Sequence, residues 1–431
     1  MKAASPKFVC HGCGAVVDMA LQLPFACPRA AAGDDIDHVL VCEDRSGFQL
    51  DLLSSPDPFL RYRALLSPYR LARAAGLSED AWAEFVGELD EALIEVDGHG
   101  FRITPMTRQT DLAQAAGLAV DLWVKDETNN VAGSHKARHL MGVILYLRVL
   151  TAGRLPAGQD LRAHRLAIAS CGNAALAAAV IARAADWPID VFIPPDAPAS
   201  VVRHLKDLGA AIAVCARSAG EAGDPCVGAF RHAVQKGAIP FGVQGPDNGL
   251  AIEGGRTLAF EVVEALRGEN ITPAAVYVQV GGGALASAVS QGFAVAAANG
   301  VIAQRPRLMT VQTASCAPLA RAWRQSAGIE MSAVARRRSQ VMWPWETTPA
   351  SIAHGILDDE TYDWWDLTKG MRETGGVPLI VSEDTLARAW ELAHAHTKVG
   401  VSATGTAGFA GLLEAGSENG PVVVIFSGAE R

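Results

Sequence analysis

The sequence predicts an α/β protein whose two lobes are open parallel sheets with helices on both faces. From Leu166 onward, short apolar runs alternate with alanine-rich stretches that have a helical pattern. This alternation is typical of parallel sheets, because a crossover helix must return the chain to the starting end of the sheet. The chain has 431 residues, of which 50% are hydrophobic. A chain of this length is longer than a single hydrophobic core usually accommodates.

The expected elements fall into two groups along the chain. The first group has strands at 166–170, 189–193, 210–215 and 239–243 and helices at 174–187 and 200–208. The second group has strands at 276–280, 308–312 and 422–426 and a helix at 285–298. We therefore expect a smaller, mobile α/β domain over residues 165–242 and a large domain over residues 48–164 and 243–431.

The composition narrows the class of partner. A formal net charge of -9 and a pI near 5.7 disfavour nucleic acid and anionic membrane surfaces, since both attract basic faces. No stretch approaches the roughly 20 apolar residues of a membrane helix, and residues 1–8 lack the apolar core of a signal peptide. We therefore expect a cytoplasmic protein with a small-molecule partner.

Residues 1–47 break the alternating pattern and carry half of the eight cysteines. Cys10 and Cys13 have the C-x2-C spacing of a zinc site, and Cys27 follows as a third candidate ligand. His38 or Cys42 would complete a tetrahedral site. A module this short needs such a metal to fold, so we expect a zinc-ribbon-like module. The alternative is a set of reduced cysteines in a segment that packs on the large domain.

One lysine stands where its amine can act as a nucleophile. Lys136 follows a Gly-Ser turn and begins a helical pattern that continues to Val149. The positive end of a helix dipole and desolvation in a cleft both lower the pKa of an amine, so that more of it is neutral. The local sequence alone gives only weak support for this role.

Three further segments supply polar groups at strand ends. Residues 170–174 lie between a strand and a helix, where backbone N–H groups bind an anion such as a carboxylate, and Asn173 can bond a ring hydroxyl. Residues 281–285 have the same position and admit a phosphate close to the backbone. Ser427 follows the last strand, where its hydroxyl can meet a pyridine nitrogen.

Together these segments resemble the fold-type II pyridoxal 5′-phosphate (PLP) enzymes, which include threonine synthase, serine and threonine dehydratases, serine racemase and cysteine synthase. Residues 134–138 match the Ser-Phe-Lys-x-Arg motif with histidine at the aromatic position, and residues 170–173 match the Ser-x-Gly-Asn loop. Residues 280–285 match the Val-Gly-Gly-Gly-Gly-Leu phosphate loop with alanine for the last glycine, and residues 427–429 match the terminal Ser-Gly-Ala segment. The resemblance spans about residues 104–431.

The resemblance implies that Lys136 holds PLP as an imine and then removes the α-proton of a small amino acid. The implied cofactor-binding residues are Lys136, Asn173, Gly281, Gly282, Gly283, Ala284, Leu285 and Ser427. The implied substrate-binding residues are His135, Ser170, Cys171, Gly172, Asn173 and Ala174. The resemblance also implies a homodimer.

The terminal serine bears on the type of reaction. A neutral serine at the pyridine nitrogen makes the ring a milder electron sink than an aspartate would, which favours loss of a β-substituent. We therefore expect a lyase of the dehydratase or ammonia-lyase type.

Other features of the sequence point to different members of the family. Residues 253–262 and the cysteine-bearing N-terminus resemble threonine synthase, so a β- or γ-replacement enzyme is the main alternative. An amino-acid racemase is a further alternative. Cys171 stands where serine racemase carries a reactive serine, and it either acts there or only packs.

A nicotinamide-dependent oxidoreductase is an alternative from another class, because residues 281–286 loosely fit G-x-G-x-x-G/A after a strand. No Asp or Glu stands within 300–312, where a ribose-binding acid is needed. The sequence therefore disfavours this alternative.

The segment 336–366 is irregular and combines three consecutive arginines with four tryptophans. One interpretation is an insertion over the active site or at a subunit contact. The other is a long surface loop with buried tryptophans.

Overall fold

Three sheets organise the chain, and the computed structural model describes them over residues 5–31, 33–43, 54–217, 223–416 and 418–431. The strands are β1 (Lys7–Cys10), β2 (Val16–Asp18), β3 (Leu40–Cys42), β4 (Met106–Arg108), β5 (Leu122–Asp126), β6 (Leu166–Ala169), β7 (Ile189–Ile193), β8 (Ala211–Val214), β9 (Ile239–Pro240), β10 (Ala275–Gln279), β11 (Arg307–Thr313), β12 (Pro378–Val381) and β13 (Val422–Phe426). The helices are α1 (Pro58–Arg61), α2 (Ser67–Ala74), α3 (Glu79–Asp97), α4 (Thr110–Ala116), α5 (Lys136–Ala152), α6 (Asn173–Ala184), α7 (Ala199–Asp207), α8 (Pro225–Gln235), α9 (Ala251–Gly268), α10 (Ala284–Ala298), α11 (Pro318–Gln325), α12 (Met331–Val334), α13 (Trp364–Thr374), α14 (Glu383–His396) and α15 (Ala403–Ala415). The domain boundary predicted at residues 47 and 48 lies outside the described residues.

The predicted α/β class is confirmed. One sheet has six strands in the order β12-β11-β10-β13-β5-β4, and another has four in the order β8-β7-β6-β9. Neighbouring strands in both sheets are parallel except for the edge pair β4 and β5, which is antiparallel and was not anticipated from the sequence. The four-stranded sheet falls within residues 165–242, the range expected for the smaller domain.

The strand predicted at 239–243 is wrong in its length, because β9 covers only Ile239 and Pro240. β9 is an edge strand, where a proline is tolerated because its missing N–H faces away from the sheet. The carbonyl of Pro240 accepts a hydrogen bond from the Asn248 side chain at 3.0 Å instead of from another strand. The chain therefore leaves the sheet early.

Helices cover both faces of the six-stranded sheet, because its central strands send alternate side chains into two separate cores. On one face, Val276 and Val278 of β10 pack in a core that also contains side chains of α9, α10 and α13. On the other face, Tyr277 of β10 packs with side chains of α4, α14 and α15.

The third sheet is a small antiparallel one in the order β2-β1-β3, formed by the N-terminal residues. The N-terminal residues contact α5 and the chain just before α9 through their backbone carbonyls. The Tyr146 hydroxyl of α5 donates to the Met19 carbonyl at 2.8 Å, and the Gly249 N–H donates to the Phe25 carbonyl at 2.9 Å. The N-terminal module is therefore held against the beginning of α9 and the side of α5.

Among the described residues, no single helix is long and apolar enough to cross a membrane. Two consecutive helical segments, Lys136–Ala152 and Pro156–Ala163, are together long and apolar enough to span a membrane. The chain bends by 107° between them.

A buried network of charged side chains joins α5 to β5 and α9. The Arg138 guanidinium donates to Glu127 at 2.7 Å and to Glu261 at 2.5 Å, and the Lys125 ammonium contacts Glu261 at 2.5 Å, all with fully buried side chains. Burial alone would raise the pKa of Glu127, but the Arg138 and Lys125 charges outweigh it and lower that pKa. Two positive and two negative charges therefore balance in the interior.

Replacing Glu127 with glutamine tests this network. Glu127→Gln keeps the volume but leaves a positive charge without its partner, so we expect the free energy of unfolding to fall by about 3–5 kcal/mol. Arg108→Met is the matched control, because Arg108 forms an exposed ion pair with Asp121, and its effect should stay within about 1 kcal/mol. Urea unfolding measures both, and equal effects would contradict the account.

Candidate active site

Three neighbouring strands bring three of the four predicted motif segments to one edge of the six-stranded sheet. β10, β13 and β5 are adjacent and parallel, so their carboxyl ends meet. The chain that leaves β5 reaches Lys136, the chain that leaves β10 enters the glycine loop at 281–283, and the chain that leaves β13 begins with Ser427. In open α/β sheets, ligands bind in the crevice at these ends.

The turn before Lys136 is strained and firmly bonded. Ala132 and Gly133 both have positive φ, at 54° and 62°. This backbone conformation is unfavourable for Ala132, because its Cβ lies too close to the backbone. The Ala132 N–H donates to Asp97 at 2.8 Å. The N–H and the Nδ1 of His135 contact the Ser427 carbonyl at 3.1 Å and 3.0 Å. These bonds fix the first residue of α5, which is Lys136.

The surroundings of Lys136 favour a neutral amine. Burial lowers the pKa of Lys136, and the carboxylates of Asp358 and Asp363 oppose this only in part. Burial also lowers the pKa of His135 well below its usual value and that of His139 to about 3, so both rings are neutral at pH 7. A neutral amine at a helix start is the form that attacks a carbonyl group, as the sequence predicts.

The loop at 170–172 joins β6 to α6 and is partly buried. Asn173 is the first residue of α6, and no side chain caps that helix, so its first N–H groups are available to an anion. A Cβ at Gly428 would lie 3.1 Å from the Asn173 amide nitrogen, which places Asn173 beside the residue after Ser427. Ser170, Gly172 and Ala174 line the same loop, and all three are partly buried.

Cys171 lies in this loop as a thiol rather than a thiolate. Burial raises its pKa, and the carboxylates of Asp196, Asp224 and Asp358 add to the effect. An uncharged, partly buried thiol agrees with either of the two roles that the sequence leaves open.

The glycine loop joins β10 to α10 and has no room for side chains. Gly283 has a φ of 106°, which favours glycine, and a Cβ at Gly281 would collide with the Asp358 carboxylate. A Cβ at Gly282 would lie 2.8 Å from the Tyr362 ring. Ala284 and Leu285 begin α10, whose start also lacks a side-chain cap. Small residues at a helix N-terminus form a cradle that suits a phosphate.

The Ser427 hydroxyl is oriented by a residue that the sequence reasoning missed. The Gln279 amide donates to Ser427 Oγ at 2.5 Å and to the carbonyls of Gly405 and Ile425 at 3.0 Å and 3.2 Å. Because Ser427 Oγ accepts this bond, its own hydrogen is left to donate elsewhere. Gln279 is the last residue of β10, so only the pairing of β10 with β13 reveals its role.

The residues at this edge fit PLP in their chemistry. Lys136 offers an amine, Asn173 an amide, Ser427 a hydroxyl donor and the loop at 281–283 a phosphate cradle. Among the described residues, the Ser134 hydroxyl and His135 Nε2 are buried without a hydrogen-bond partner, which is unusual unless a ligand or water completes them. The motif residues from four parts of the sequence therefore lie together.

Part of the irregular segment 336–366 reaches this edge of the sheet. Asp358 and Asp363 are the two carboxylates that act on Lys136, and Asp358 also lies against the glycine loop. Trp364 is fully buried and Trp365 is partly buried. The segment therefore has features of both interpretations. It contains buried tryptophans, and part of it lies beside the glycine loop and Lys136.

The N-terminal cysteines form a second cluster. The ligand atoms of Cys10, Cys13, Cys27 and His38 all lie within 4.8 Å of one another. Cys42 lies elsewhere, because its sulfur contacts Ser67 Oγ at 3.2 Å and Arg70 at 3.3 Å. Of the two candidates for the fourth ligand, the structure therefore groups His38 with the other three and leaves Cys42 apart.

Comparison with known proteins agrees with this arrangement. A family model described as "Pyridoxal-phosphate dependent enzyme" matches residues 99–428. A serine dehydratase-like protein of Mus musculus is 32% identical over 196 residues, which cover 44% of this chain and 52% of the relative. The L-serine dehydratase/L-threonine deaminase of Mus musculus is 29% identical over 191 residues, with the same coverage of 44% and 52%. The chain thus spans about half the length of the curated relatives it matches.

Solved structures show the same fold. Diaminopropionate ammonia lyase from Escherichia coli has a TM-score of 0.59 and 18% identity, over 81% of this chain and 89% of that one. Maize serine racemase has a TM-score of 0.57 and 20% identity, over 80% and 93%. An L-serine ammonia-lyase from Rhizomucor miehei has a TM-score of 0.56 and 20% identity, over 76% and 94%.

The family match covers most of the chain and includes three of the four motif segments in full and residues 427–428 of the fourth. The chain belongs to the family of pyridoxal-phosphate-dependent enzymes.

Proposed function

We propose that this protein is a PLP-dependent lyase that removes the α-proton and then a β-substituent of a small amino acid, as dehydratases and ammonia-lyases do. The observation that carries the proposal is the Ser427 hydroxyl, which Gln279 orients at 2.5 Å. A hydroxyl donates to a pyridine nitrogen without protonating it, whereas a carboxylic acid would do so. The ring is then a moderate electron sink, which suits elimination better than transamination.

The other residues take complementary roles in this proposal. When bound, PLP supplies a conjugated system that accepts the electron pair of the broken α-C–H bond. The neutral amine of Lys136 takes the α-proton at its Nζ. The N–H groups at the start of α6 hold the carboxylate of the substrate, and Asn173 orients the ring hydroxyl of the cofactor.

One observation favours a lyase over a threonine synthase-like enzyme. Glu253, in the segment that resembles threonine synthase, accepts from the Ser67 N–H at 3.0 Å and from Arg256 at 2.8 Å inside the protein. Glu253 therefore stabilises the first turn of α9, and its segment does not indicate a substrate-binding site. The names of the similar proteins, serine dehydratases and ammonia-lyases, support the lyase.

Lys136→Ala tests the attachment of the cofactor. The parent protein purified with PLP should be yellow, and the variant should be colourless because it lacks the amine that binds the aldehyde. Lys369→Ala is the matched control, since Lys369 lies on the surface of α13 beside Glu373, and it should stay yellow. Visible absorbance measures the effect and far-UV circular dichroism checks the fold. An equally yellow Lys136→Ala protein would refute the role of Lys136.

Turnover assays test the reaction. We expect L-serine or L-threonine to give ammonia and a keto acid, and Lys136→Ala to slow this by at least about 10²–10⁴-fold, because a positioned base is lost. Lys369→Ala should keep the parent rate. The panel includes 3-hydroxyaspartate and O-phosphohomoserine. Phosphate release from O-phosphohomoserine, with no keto acid from the other substrates, would point to the synthase and sink the lyase.

We also propose that Cys10, Cys13, Cys27 and His38 bind a structural zinc ion. The spacing within 4.8 Å suits a tetrahedral Cys3His site. His38 Nδ1 lies 3.4 Å from Cys10 Sγ, while His38 Nε2 lies 3.0 Å from the Asp34 carboxylate. A carboxylate on the far nitrogen orients a metal-binding histidine. Cys10 ends the first strand of a sheet of three short strands, and the other three ligands lie in the segments that connect these strands. A module this small benefits from a metal ion, because it can bury little apolar surface.

The zinc site is tested by metal content. The parent protein should hold about one zinc ion per chain, and Cys13→Ser should hold less than about half of that, because three ligands bind zinc weakly in a structural site. Cys42→Ser is the control and should keep its zinc. Elemental analysis of dialysed protein measures all three. Less than about half an equivalent in the parent, or loss of zinc only in Cys42→Ser, would contradict the assignment.

The homodimer and the cytoplasmic location expected from the sequence stay predictions.

A further inference from the structure

Part of the segment 336–366 is bonded directly to the glycine loop. We call residues 356–363 the roof segment. The Thr361 hydroxyl donates to the Gly281 carbonyl at 3.0 Å, and the Asp363 N–H donates to the Gly282 carbonyl at 3.0 Å. A Cβ at Gly283 would lie 3.0 Å from Asp363 Cβ. The roof segment and the glycine loop therefore form one unit.

One carboxylate of the roof segment lies against the first two glycines. Asp358 Oδ2 stands where a Cβ of Gly281 would be, and Asp358 Oδ1 is 3.6 Å from the place of a Cβ on Gly282. The Asp358 carboxyl group thus occupies part of the space beside the glycine loop that suits a phosphate.

Few groups near Asp358 carry a positive charge. The titratable groups that face it from packed elements are Lys136 at the start of α5, Cys171 after β6 and Cys316 after β11, with Asp359 and Tyr362 from the roof segment itself. Of these, only Lys136 can be a cation. Because its surroundings favour a neutral amine, little positive charge offsets the Asp358 carboxylate.

We propose that Asp358 opposes the phosphate of PLP at the glycine loop, so that the protein holds its cofactor less tightly as pH rises. The proposal deepens the proposed function, because it rests on PLP binding at this loop. An ionised carboxylate repels an adjacent phosphate dianion. A protonated one is neutral and can donate a hydrogen bond to it.

The pH dependence follows from the position of Asp358, which is partly buried against the glycine loop. Burial raises the pKa of Asp358, although Lys136 and the Gly282 N–H oppose the shift. Below this raised pKa, the carboxyl is neutral and does not oppose the phosphate. Above it, the carboxylate is ionised and the repulsion is present. Affinity for PLP is therefore lost as pH rises through the pKa of Asp358.

Asp358→Asn measures this opposition without changing the size of the side chain. Apo-protein is titrated with PLP from mildly acidic to mildly alkaline pH, and the dissociation constant is read from absorbance and fluorescence. At alkaline pH, the variant should bind PLP about tenfold or more tightly than the parent. At acidic pH, the two constants should converge. The ratio of constants cancels the pH effects on PLP itself, and pyridoxal reports the change in Lys136 that loss of the Asp358 charge causes.

Two controls separate the phosphate effect from general changes in the pocket. Pyridoxal lacks the phosphate, so its gain in affinity from Asp358→Asn should be much smaller than that of PLP, and it reports only the effect of the Asp358 charge on Lys136. Asp121→Asn removes a partly exposed carboxylate outside the roof segment, the partner of Arg108, and should leave the PLP constant close to the parent value. Circular dichroism confirms that each variant is folded.

The outcomes are distinct. Equal or weaker PLP binding by folded Asp358→Asn at alkaline pH would overturn the inference while leaving the proposed function intact. An equal gain for pyridoxal would also overturn it, because the phosphate would not be involved. A parent protein that binds no PLP at any pH would overturn the proposed function and this inference together.

Discussion

The structure depends most on the buried ion network around Arg138. Arg138 lies two residues after Lys136 and bonds Glu127, which follows β5, and Glu261, which belongs to α9. A buried charge is strongly destabilising unless it is paired. The ion pairs of Arg138 therefore fix the position of α5 relative to β5 and α9. The buried ion network therefore sets the position of the Lys136 amine.

The other site residues converge through sheet topology. Because β10, β13 and β5 are parallel neighbours, the glycine loop, Ser427 and the approach to Lys136 meet at one edge. The N-terminal module borders the same region, since Asp37 accepts from the Trp364 indole at 3.1 Å and contacts His11 at 2.7 Å. His11 also stacks on Trp365, with ring centroids 4.2 Å apart. The module thus holds the chain that follows the roof segment.

Much of this arrangement was predictable from the sequence, because the α/β alternation and the four motifs are local patterns. The strands at 189–193 and 422–426 match the structure at both ends. Gln279 and Asp358 were not identified. Gln279 acts across a strand pair, and Asp358 reaches the glycine loop from residues far along the chain. Neither has a spacing that marks it, so only tertiary contacts reveal them. The choice of His38 over Cys42 likewise needed three-dimensional distances.

The central claim is that one particular lysine at this sheet edge holds the cofactor. Borohydride reduction of the protein with bound PLP, followed by digestion and mass spectrometry of the peptides, tests it most directly. The account predicts a phosphopyridoxyl group on Lys136 and on no other lysine in the chain. A label on a different lysine, or a yellow protein that yields no labelled peptide containing Lys136, would contradict it.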